Sequence, residues 1–228
     1  MAEIADLTPD QLAALRAIDS PTIANAIEEF DVRDRRAGYM DGSIRCIYPE
    51  LGETVGYAFT ITFKDRGPDD PPMRQAWVEA LEHALALPTP RILVARDASK
   101  DVPAALFGEI MCTMLTRLDF VGVITDGTVR DLNEVRELGL QYFASGVIVS
   151  HGQVTVESFA APVTVAGLTV NPGDLLHADC NGVVQIPADI APQVAAKAEE
   201  VRQDEGKLLK ALGDPAFSLE EFKKVMLG

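Results

Sequence analysis

The residues best suited to chemistry lie within residues 107–134, FGEIMCTMLTRLDFVGVITDGTVRDLNE. Glu109 stands at the start of a predicted helix, and Arg130 and Asp131 follow a predicted strand and a glycine-containing turn. Residues 110–129, twenty in all, separate the glutamate from the arginine. This length is about one helix plus one strand, so we expect both ends to return to the same edge of a sheet.

Each of these three residues also has a purely structural explanation. An acid such as Glu109 at a helix start is favoured by the helix dipole, by about 0.3–1 kcal/mol. Asp131 with Glu134 has the spacing of a helix N-cap closed by a capping-box glutamate. Arg130 has the character of an ordinary surface cation. Taken singly, each residue favours the structural explanation over the functional one.

Taken together, the residues predict a site for a metal ion and a carboxylate. The amides after Gly108 form an anion site at a helix start, and Arg130 can bind a carboxylate in a bidentate manner. Gly127 permits a turn that brings the backbone close to a ligand. Asp131 offers a hard oxygen to Mg²⁺, which keeps most of its waters, and Glu109 can act as a base through such a water. The metal would chelate a 2-oxo acid and stabilise its enolate as charge develops.

The elements that must position these residues form one α/β domain over residues 1–228. We expect a βαβ-like centre, a β-rich second half and helices at both ends. Two predicted helices have start signals at Thr8, with a capping box to Gln11, and at Ser20. Three further predicted helices cover 73–87, 189–212 and Ser218 to Met226. The predicted strands are 55–63, with one face in the core, 91–95, buried on both faces, 142–143, 147–149, 154–156, 163–165, 168–170, 175–177 and 183–186.

Charge and composition exclude several classes of protein. The net charge is −15, which argues against nucleic acid as a partner because a phosphate backbone would be repelled. The longest apolar runs are too short to span a bilayer, so no membrane association is expected. The N-terminal residues lack a basic stretch followed by an apolar one, which predicts a cytoplasmic protein. Neither a P-loop nor a dinucleotide fingerprint occurs, which argues against a nucleotide cofactor or methyl transfer.

Cysteines and histidines give weaker signals. Cys46, Cys112 and Cys180 share no metal-like spacing, and we expect reduced thiols, mostly buried. His151 is a candidate substrate contact, whereas alternation places His177 on a sheet face. In the predicted helix 73–87, His83 is expected to pack or to lie exposed, and Trp77 to anchor the core.

The segment GEIMCTMLTRLDFVGVITDGTVRD resembles the central motif of the RraA-like family. Its enzymatic members are class II pyruvate aldolases acting on 4-hydroxy-4-methyl-2-oxoglutarate and 4-carboxy-4-hydroxy-2-oxoadipate. Further similarities are VGYAFTI upstream and, downstream, Val170-Asn171-Pro172-Gly173-Asp174, Asp179, Gly182-Val183-Val184 and Pro187. The resemblance covers a core of residues 20–187 and leaves residues 188–228 as a C-terminal helical extension.

This resemblance implies a swivelling β/β/α fold, a homotrimer or homohexamer with sites between subunits, and Mg²⁺ or Mn²⁺ as cofactor. It implies that Asp131 is the metal ligand and that Arg130 binds the substrate carboxylate and the enolate. Glu109 would position the catalytic water. The backbone segment that would bind the 2-oxo acid is Gly108, Glu109, Ile110 and Met111.

The resemblance leaves the distal half of the substrate open. Aldolase members tend to carry basic residues after Ser145-Gly146, where this chain has residues 150–153, SHGQ. The first hypothesis is a metal-dependent lyase that releases pyruvate from a 4-hydroxy-2-oxo acid, with oxaloacetate decarboxylation as a side reaction. The alternatives are a regulatory protein that docks on ribonuclease E, and the same site acting on another 2-oxo acid or sugar-acid derivative. The loops at 67–72 and 150–153 favour this last alternative.

Overall fold

The computed structural model describes residues 4–70, 73–99, 104–213, 217–220 and 222–223. The helices are α1 (Pro9–Arg16), α2 (Ser20–Glu28), α3 (Met73–Ala84), α4 (Glu109–Arg117), α5 (Leu132–Glu137) and α6 (Ala191–Leu212), with a 3₁₀ turn at Pro49–Leu51. The strands are β1 (Arg45–Cys46), β2 (Thr54–Asp65), β3 (Arg91–Asp97), β4 (Ala105–Phe107), β5 (Phe120–Thr125), β6 (Thr128–Val129), β7 (Gln141–Ala144), β8 (Gly146–Val147), β9 (Val154–Phe159), β10 (Val163–Val165), β11 (Leu168–Val170), β12 (Leu175–Asp179) and β13 (Gly182–Ile186).

The main sheet has eight strands in the order β1-β7-β5-β3-β2-β12-β13, with β9 also paired to β2. Strands β2, β3, β5 and β7 run parallel, and the others are antiparallel to their neighbours. The long strand β2 pairs with β12 through its first half and with β9 through its second half. Parallel strands in such a sheet end at one edge, where α/β proteins place their ligands.

Helices cover one face of this sheet and a hairpin covers the other. Helices α3 and α4 pack around Phe63, Trp77 and Leu115, which are nearly inaccessible to solvent. Helices α1, α2 and α6 pack on the same face nearer the start of β2, around Ile23 and Val194. The hairpin of β10 and β11 covers the opposite face. The role predicted for Trp77 as a core anchor is confirmed. Because both faces are covered, residues 54–63 of β2 are buried throughout, whereas their alternating pattern predicted one face in the core.

A second sheet holds three short parallel strands, β4, β6 and β8. Phe107 at the end of β4 lies opposite Val129 at the end of β6. The sequence predicted a turn where β6 lies, since a strand of two residues has no readable periodicity. This small sheet sets the geometry of the candidate site.

Local signals for helix starts and stops were informative. The capping box between Thr8 and Gln11 is present, and Gly139 ends the segment after α5 with a φ of 69°. Helix α2 is capped by Asp19, whose carboxylate accepts from the Thr22 amide, so Ser20 is the first helical residue and the predicted cap is wrong by one position.

Other element predictions need correction. Helix α3 ends at Ala84, three residues before the predicted end, and residues 148–149 lie outside any strand. The predicted helix from Ser218 to Met226 and the loops at 67–72 and 97–103 fall partly outside the described residues. All three cysteines are free thiols, as predicted, but only Cys112 is buried and Cys180 is exposed. No helix within the described ranges combines the length and apolarity needed to cross a bilayer.

Candidate active site

The small parallel sheet brings the two ends of the central motif together. Strand β4 leads through Gly108 into α4, and strand β6 leads into Arg130 and Asp131. The Arg130 amide donates to the carbonyl oxygen of Phe107 at 3.0 Å, which joins the two strand ends. The predicted meeting at one sheet edge is therefore confirmed. The edge belongs to the β4-β6-β8 sheet, however, and not to the sheet that contains β5.

Asp131 has an unusual conformation and an unexpected partner. Its backbone is left-handed, with φ 57° and ψ 48°, and its side chain makes no capping hydrogen bond to α5. Instead, Oδ2 accepts from the backbone amide of Glu109 at 2.9 Å. A left-handed conformation costs a non-glycine residue about 1–2 kcal/mol. The N-cap explanation for this side chain is wrong, since the carboxylate is turned towards the start of α4.

Arg130 and Asp131 form a half-buried pair in front of Gly108. The Arg130 Nε atom lies 3.6 Å from Asp131 Oδ2, and the two side chains are 35% and 34% exposed. A Cβ atom at residue 108 would lie 2.4 Å from Asp131 Oδ2 and 3.0 Å from Arg130 Nε. A larger residue here would displace the two functional side chains, because they fill the space beside the α-carbon of Gly108.

Gly127 lies in a tightly packed turn. A Cβ atom there would lie 2.9 Å from Leu106 Cδ1 and 3.0 Å from Asp97 Oδ2. The glycine therefore allows the turn to pack closely against β4. Beside it, burial raises the pKa of Asp126, partly offset by a hydrogen bond from the Asp97 amide.

A cavity of about 650 Å³ opens in front of these residues. Its lining includes the first residues of α4 together with the Arg130–Asp131 pair, and so contains the whole backbone segment predicted to bind a 2-oxo acid. Arg66, His151 and Gln153 also line it. The structure thus brings all the predicted site residues, and His151, together around one cavity.

Arg66 is the cavity residue that the sequence did not reveal, because residues 64–72, KDRGPDDPP, have the composition of a polar turn. It directly follows β2, which runs parallel to β3 and in the same sense as β5. Its position after a buried parallel strand was a signal that could have identified it, since the carboxyl ends of such strands commonly carry binding residues.

The donor set fits one kind of metal ion. Within the described ranges there is no group of three or more histidine, cysteine or acidic side chains that could hold a metal. Asp131 supplies a carboxylate whose Oδ2 is engaged by the Glu109 amide, and its Oδ1 has no hydrogen-bond partner among the described residues. Mg²⁺ and Mn²⁺ suit such a site because magnesium binds through one or two carboxylates and keeps several waters. Zinc, which needs three or four protein ligands, does not.

Buried aromatic residues support the two helices that begin at the site. The Cys112 Sγ atom of α4 lies 2.9 Å from the Tyr142 hydroxyl, and Tyr142 stacks on Tyr48 with ring centroids 5.8 Å apart. The Tyr48 hydroxyl donates to the carbonyl oxygen of Leu132, the first residue of α5. Burial raises the pKa of Cys112 to about 12, so this thiol stays protonated and serves packing.

Two of the three histidines lie away from the cavity. His177 is completely buried, with Nδ1 2.8 Å from the Ser20 hydroxyl and Nε2 3.1 Å from the carbonyl oxygen of Leu15. Burial lowers the pKa of His177, so the neutral imidazole joins the sheet to α1 and α2. His83 is exposed near the end of α3, as predicted, and its ring is tilted by 56° against that of Phe159, with centroids 4.8 Å apart.

Fold and site together define an α/β protein with an acid, an arginine and helix-start amides around one cavity. The chain belongs to the RraA-like family: the family model described as Aldolase/RraA matches residues 19–185. Protein DlpA of Legionella pneumophila is 25% identical over 211 residues, which cover 91% of this chain but only 32% of DlpA. A Halalkalibacterium halodurans protein named "Putative 4-hydroxy-4-methyl-2-oxoglutarate aldolase" is 25% identical over 140 residues, covering 61% of this chain and 67% of the relative.

Solved structures confirm the predicted fold. An uncharacterized protein from Pseudomonas syringae pv. tomato has a TM-score of 0.76 at 20% identity, covering 99% of this chain and 98% of its own. Streptomyces coelicolor RraAS2, described as an unusual member of the RNase ES inhibitor RraA protein family, has a TM-score of 0.70 at 24% identity, covering 88% and 96%. The predicted RraA-like α/β fold with terminal helices is therefore confirmed.

Proposed function

We propose that this protein is a divalent-metal-dependent lyase that cleaves a 4-hydroxy-2-oxo acid to pyruvate and a second oxo compound. The observation that carries the proposal is the hydrogen bond between the Glu109 amide and Asp131, with Arg130 beside it at one end of the cavity. Membership of the RraA-like family and the name of the H. halodurans relative support the same reaction.

The chain's own groups suit the binding of the 2-oxo acid end. The first-turn amides of α4, at Ile110 and Met111, have no acceptor within the helix and can bind an anion. Arg130 can neutralise the negative charge that develops on the 2-oxo oxygen during bond cleavage. A hydrated Mg²⁺ or Mn²⁺ held at Asp131 would supply Lewis-acid polarisation of the 2-oxo group.

Proton transfer is assigned to Glu109, which is exposed to the cavity. Its carboxylate, through a water, takes the proton of the 4-hydroxyl group as the bond between C3 and C4 breaks. The electron pair of that bond moves into the pyruvate enolate, and C4 becomes a carbonyl carbon. The same proton then returns to C3, so the products balance the substrate. Oxaloacetate decarboxylation passes through the same enolate and is the expected side reaction.

We further propose that the protein works as a homotrimer or homohexamer. Support comes from exposed apolar side chains: Ile110, which lines the cavity, is 84% exposed, and Val147 and Val149, at and after the end of β8, are 52% and 91% exposed. Exposed apolar groups of this size commonly mark contact surfaces. A neighbouring subunit placed there would complete the wall of the cavity on the side where α4 begins.

The proposal is tested by pyruvate release from 4-hydroxy-4-methyl-2-oxoglutarate, followed with a coupled lactate dehydrogenase assay. We expect turnover with Mg²⁺ or Mn²⁺, loss of turnover with a chelator, and recovery when the metal is restored. Other 4-hydroxy-2-oxo acids and sugar-acid derivatives are assayed in parallel, because the same site could accept them. No pyruvate from any of these substrates with added metal would contradict the proposal.

A second candidate function is regulatory docking on a ribonuclease of the E type. The similarity of the fold to RraAS2, described as an RNase ES inhibitor family member, favours it. Docking needs no free carboxylate, so we expect inhibition of ribonuclease E by this protein to survive the Asp131→Asn substitution. Stable binding to the ribonuclease without lyase activity would favour this function over the first.

A further inference from the structure

We infer that Arg66 selects substrates that carry a second carboxylate at the end remote from the 2-oxo acid group. This inference rests on the proposed function, because it assumes that the 2-oxo acid lies at Arg130 and the start of α4. It assigns a specificity-determining role to a residue of the segment after β2, which lines the same cavity as Arg130 and Asp131.

Backbone hydrogen bonds join Arg66 to the segment that pairs with the first residue of β4, whereas Arg130 pairs with the last. Strand β4 runs along the wall: its last residue, Phe107, accepts from the Arg130 amide, and its first residue, Ala105, donates to the Ser150 carbonyl at 2.8 Å. The Arg66 amide in turn donates to the Gln153 carbonyl at 2.8 Å. The two residue steps from Ala105 to Phe107 span about 6–7 Å along the strand. The part of the cavity wall at Ala105 is therefore separated from the part at Arg130 by roughly the length of a short carbon chain, such as that of the proposed substrate.

The wall that carries Arg66 is held firmly. Strand β9 pairs with the end of β2, with Asp65 opposite Val154, and Arg66 is the next residue. A Cβ atom at Gly152 would lie 2.9 Å from Cβ of Ala104, so this glycine lets the segment pack tightly beside β4. The backbone of Arg66 therefore has a fixed position from which its side chain reaches the cavity.

The charges around the cavity leave Arg66 available for a ligand. Among the described residues that line it, Arg66 and Arg130 are the lysine or arginine side chains. Arg130 lies 3.6 Å from Asp131, whereas Arg66 forms no ion pair within the described ranges. The nearby carboxylate of Asp70 is paired with Lys64 at 3.0 Å. In a chain with a net charge of −15, a dianionic substrate needs such a local cation.

The other polar residues of this wall suit a carboxylate less well. The His151 Nδ1 atom lies 3.3 Å from the Gly152 carbonyl oxygen, and Gln153 offers only a neutral amide. A guanidinium presents two parallel N–H groups that match the two oxygens of a carboxylate. Charge-assisted bonds of this kind are worth about 1.5–3 kcal/mol, which corresponds to about a 10- to 100-fold difference in affinity.

The test is a binding measurement with two ligands that differ only in the distal carboxylate, 2-oxoglutarate and 2-oxopentanoate. Neither has a 4-hydroxyl group, so neither can be cleaved by the proposed reaction. Isothermal titration calorimetry is run with the full-length protein and Mg²⁺ at low ionic strength. We expect 2-oxoglutarate to bind about 10- to 100-fold more tightly.

Variants of Arg66 test whether this side chain causes the preference for 2-oxoglutarate. Arg66→Gln should reduce the ratio of the two dissociation constants to near one, and Arg66→Lys should give an intermediate ratio because it keeps the charge without the fork. The matched control is Arg117→Gln, an exposed arginine at the other end of α4, which should keep the wild-type ratio.

The outcomes separate this inference from the proposed function. An equal affinity of the wild type for both ligands, or an unchanged ratio in Arg66→Gln, overturns the role of Arg66 while pyruvate release still supports the lyase. Pyruvate release from none of the substrates, with the ratio changed as expected, overturns the lyase and leaves the distal carboxylate contact. Binding of neither ligand overturns the role of Arg66, and the lyase is then overturned only if pyruvate release also fails.

Discussion

The Asp131 carboxylate accepts a hydrogen bond from the backbone amide of Glu109, 22 residues earlier in the chain, at 2.9 Å. Asp131 precedes α5 but satisfies an amide at the start of α4, where the helix dipole favours a negative charge. One bond thus fixes the proposed metal ligand against the proposed proton-transfer residue.

Replacement of Asp131 by asparagine should separate chemistry from folding. The side-chain amide oxygen of the Asp131→Asn variant can still accept from the Glu109 amide, but the charge that would hold a divalent cation is lost. We expect kcat/KM for pyruvate release to fall by at least about 100-fold, or about 3 kcal/mol of transition-state stabilisation, with a small change in Tm. Steady-state kinetics and thermal unfolding measure the two effects.

The control is Asp119→Asn, because Asp119 shares the left-handed backbone with a φ of 57° and its side chain is 73% exposed. It should retain wild-type kinetics. Full activity of Asp131→Asn would contradict the metal-ligand role.

Replacement of Gly108 by alanine should disturb the site sterically. The added methyl group would lie 2.4 Å from Asp131 Oδ2, so the carboxylate must move and its bond to the Glu109 amide must lengthen. Overpacking of this kind lowers the free energy of unfolding by about 1–3 kcal/mol. We expect the loss of transition-state stabilisation, measured from kcat/KM, to be larger than this. Gly42→Ala is the control, since nothing lies within 4 Å of its added Cβ. Equal kinetics of the two variants would argue against the tight packing at residue 108.

Stability should depend on pH through His177. Because burial lowers its folded pKa, the unfolded chain binds the proton first as the pH falls. The stabilisation is fully present above the unfolded pKa of about 6.5 and is lost as the pH falls from there towards the folded pKa. The neighbouring Asp179 and Glu53 partly oppose the lowering. Urea unfolding at pH 7.5 and pH 5 should therefore show a lower free energy of unfolding at pH 5.

The His177→Gln variant isolates this contribution. Loss of the bonds to Ser20 and Leu15 should destabilise it at pH 7.5 by about 1–3 kcal/mol. Its free energy of unfolding should change less between the two pH values than that of the wild type. The exposed His83→Gln control should keep the wild-type difference, and a wild-type difference in His177→Gln would contradict the assignment.

Assembly should depend on the exposed apolar side chains. Light scattering coupled to size-exclusion chromatography should give the wild type the mass of three or six chains. Val149→Asp, which places a charge at a side chain that is 91% exposed, should shift the protein to a smaller species. Val32→Asp, at a side chain that is 40% exposed in the connection after α2, should leave the mass unchanged. A monomeric wild type would contradict the proposed assembly.

Much of the fold followed from local patterns. Helix starts at Thr8 and near Ser20, the buried strand at 91–95 and the hairpin turn at Gly182 depend on neighbouring residues, which a linear reading captures. The residues of the candidate site could also be predicted from local patterns, because Glu109, Arg130 and Asp131 stand at the boundaries of helices and strands.

The sequence did not reveal which strands pair with one another. The burial of β2 on both faces, the return of β6 beside β4, and the pairing of β2 with β9 all join segments far apart in sequence. Strand pairing of this kind depends on which surfaces meet in three dimensions, and a periodicity of two residues does not encode it.

The sequence alone therefore determined the residue types of the site, their spacing and the helix and strand that separate them. Only the tertiary structure decided that Asp131 bonds to the start of α4 and that Arg66 lines the same cavity. The physical reason is that both relationships pass through the small β4-β6-β8 sheet and the β2–β9 pairing. These contacts join strands that are very short or buried on both faces. The sequences of such strands do not indicate which other strand they pair with.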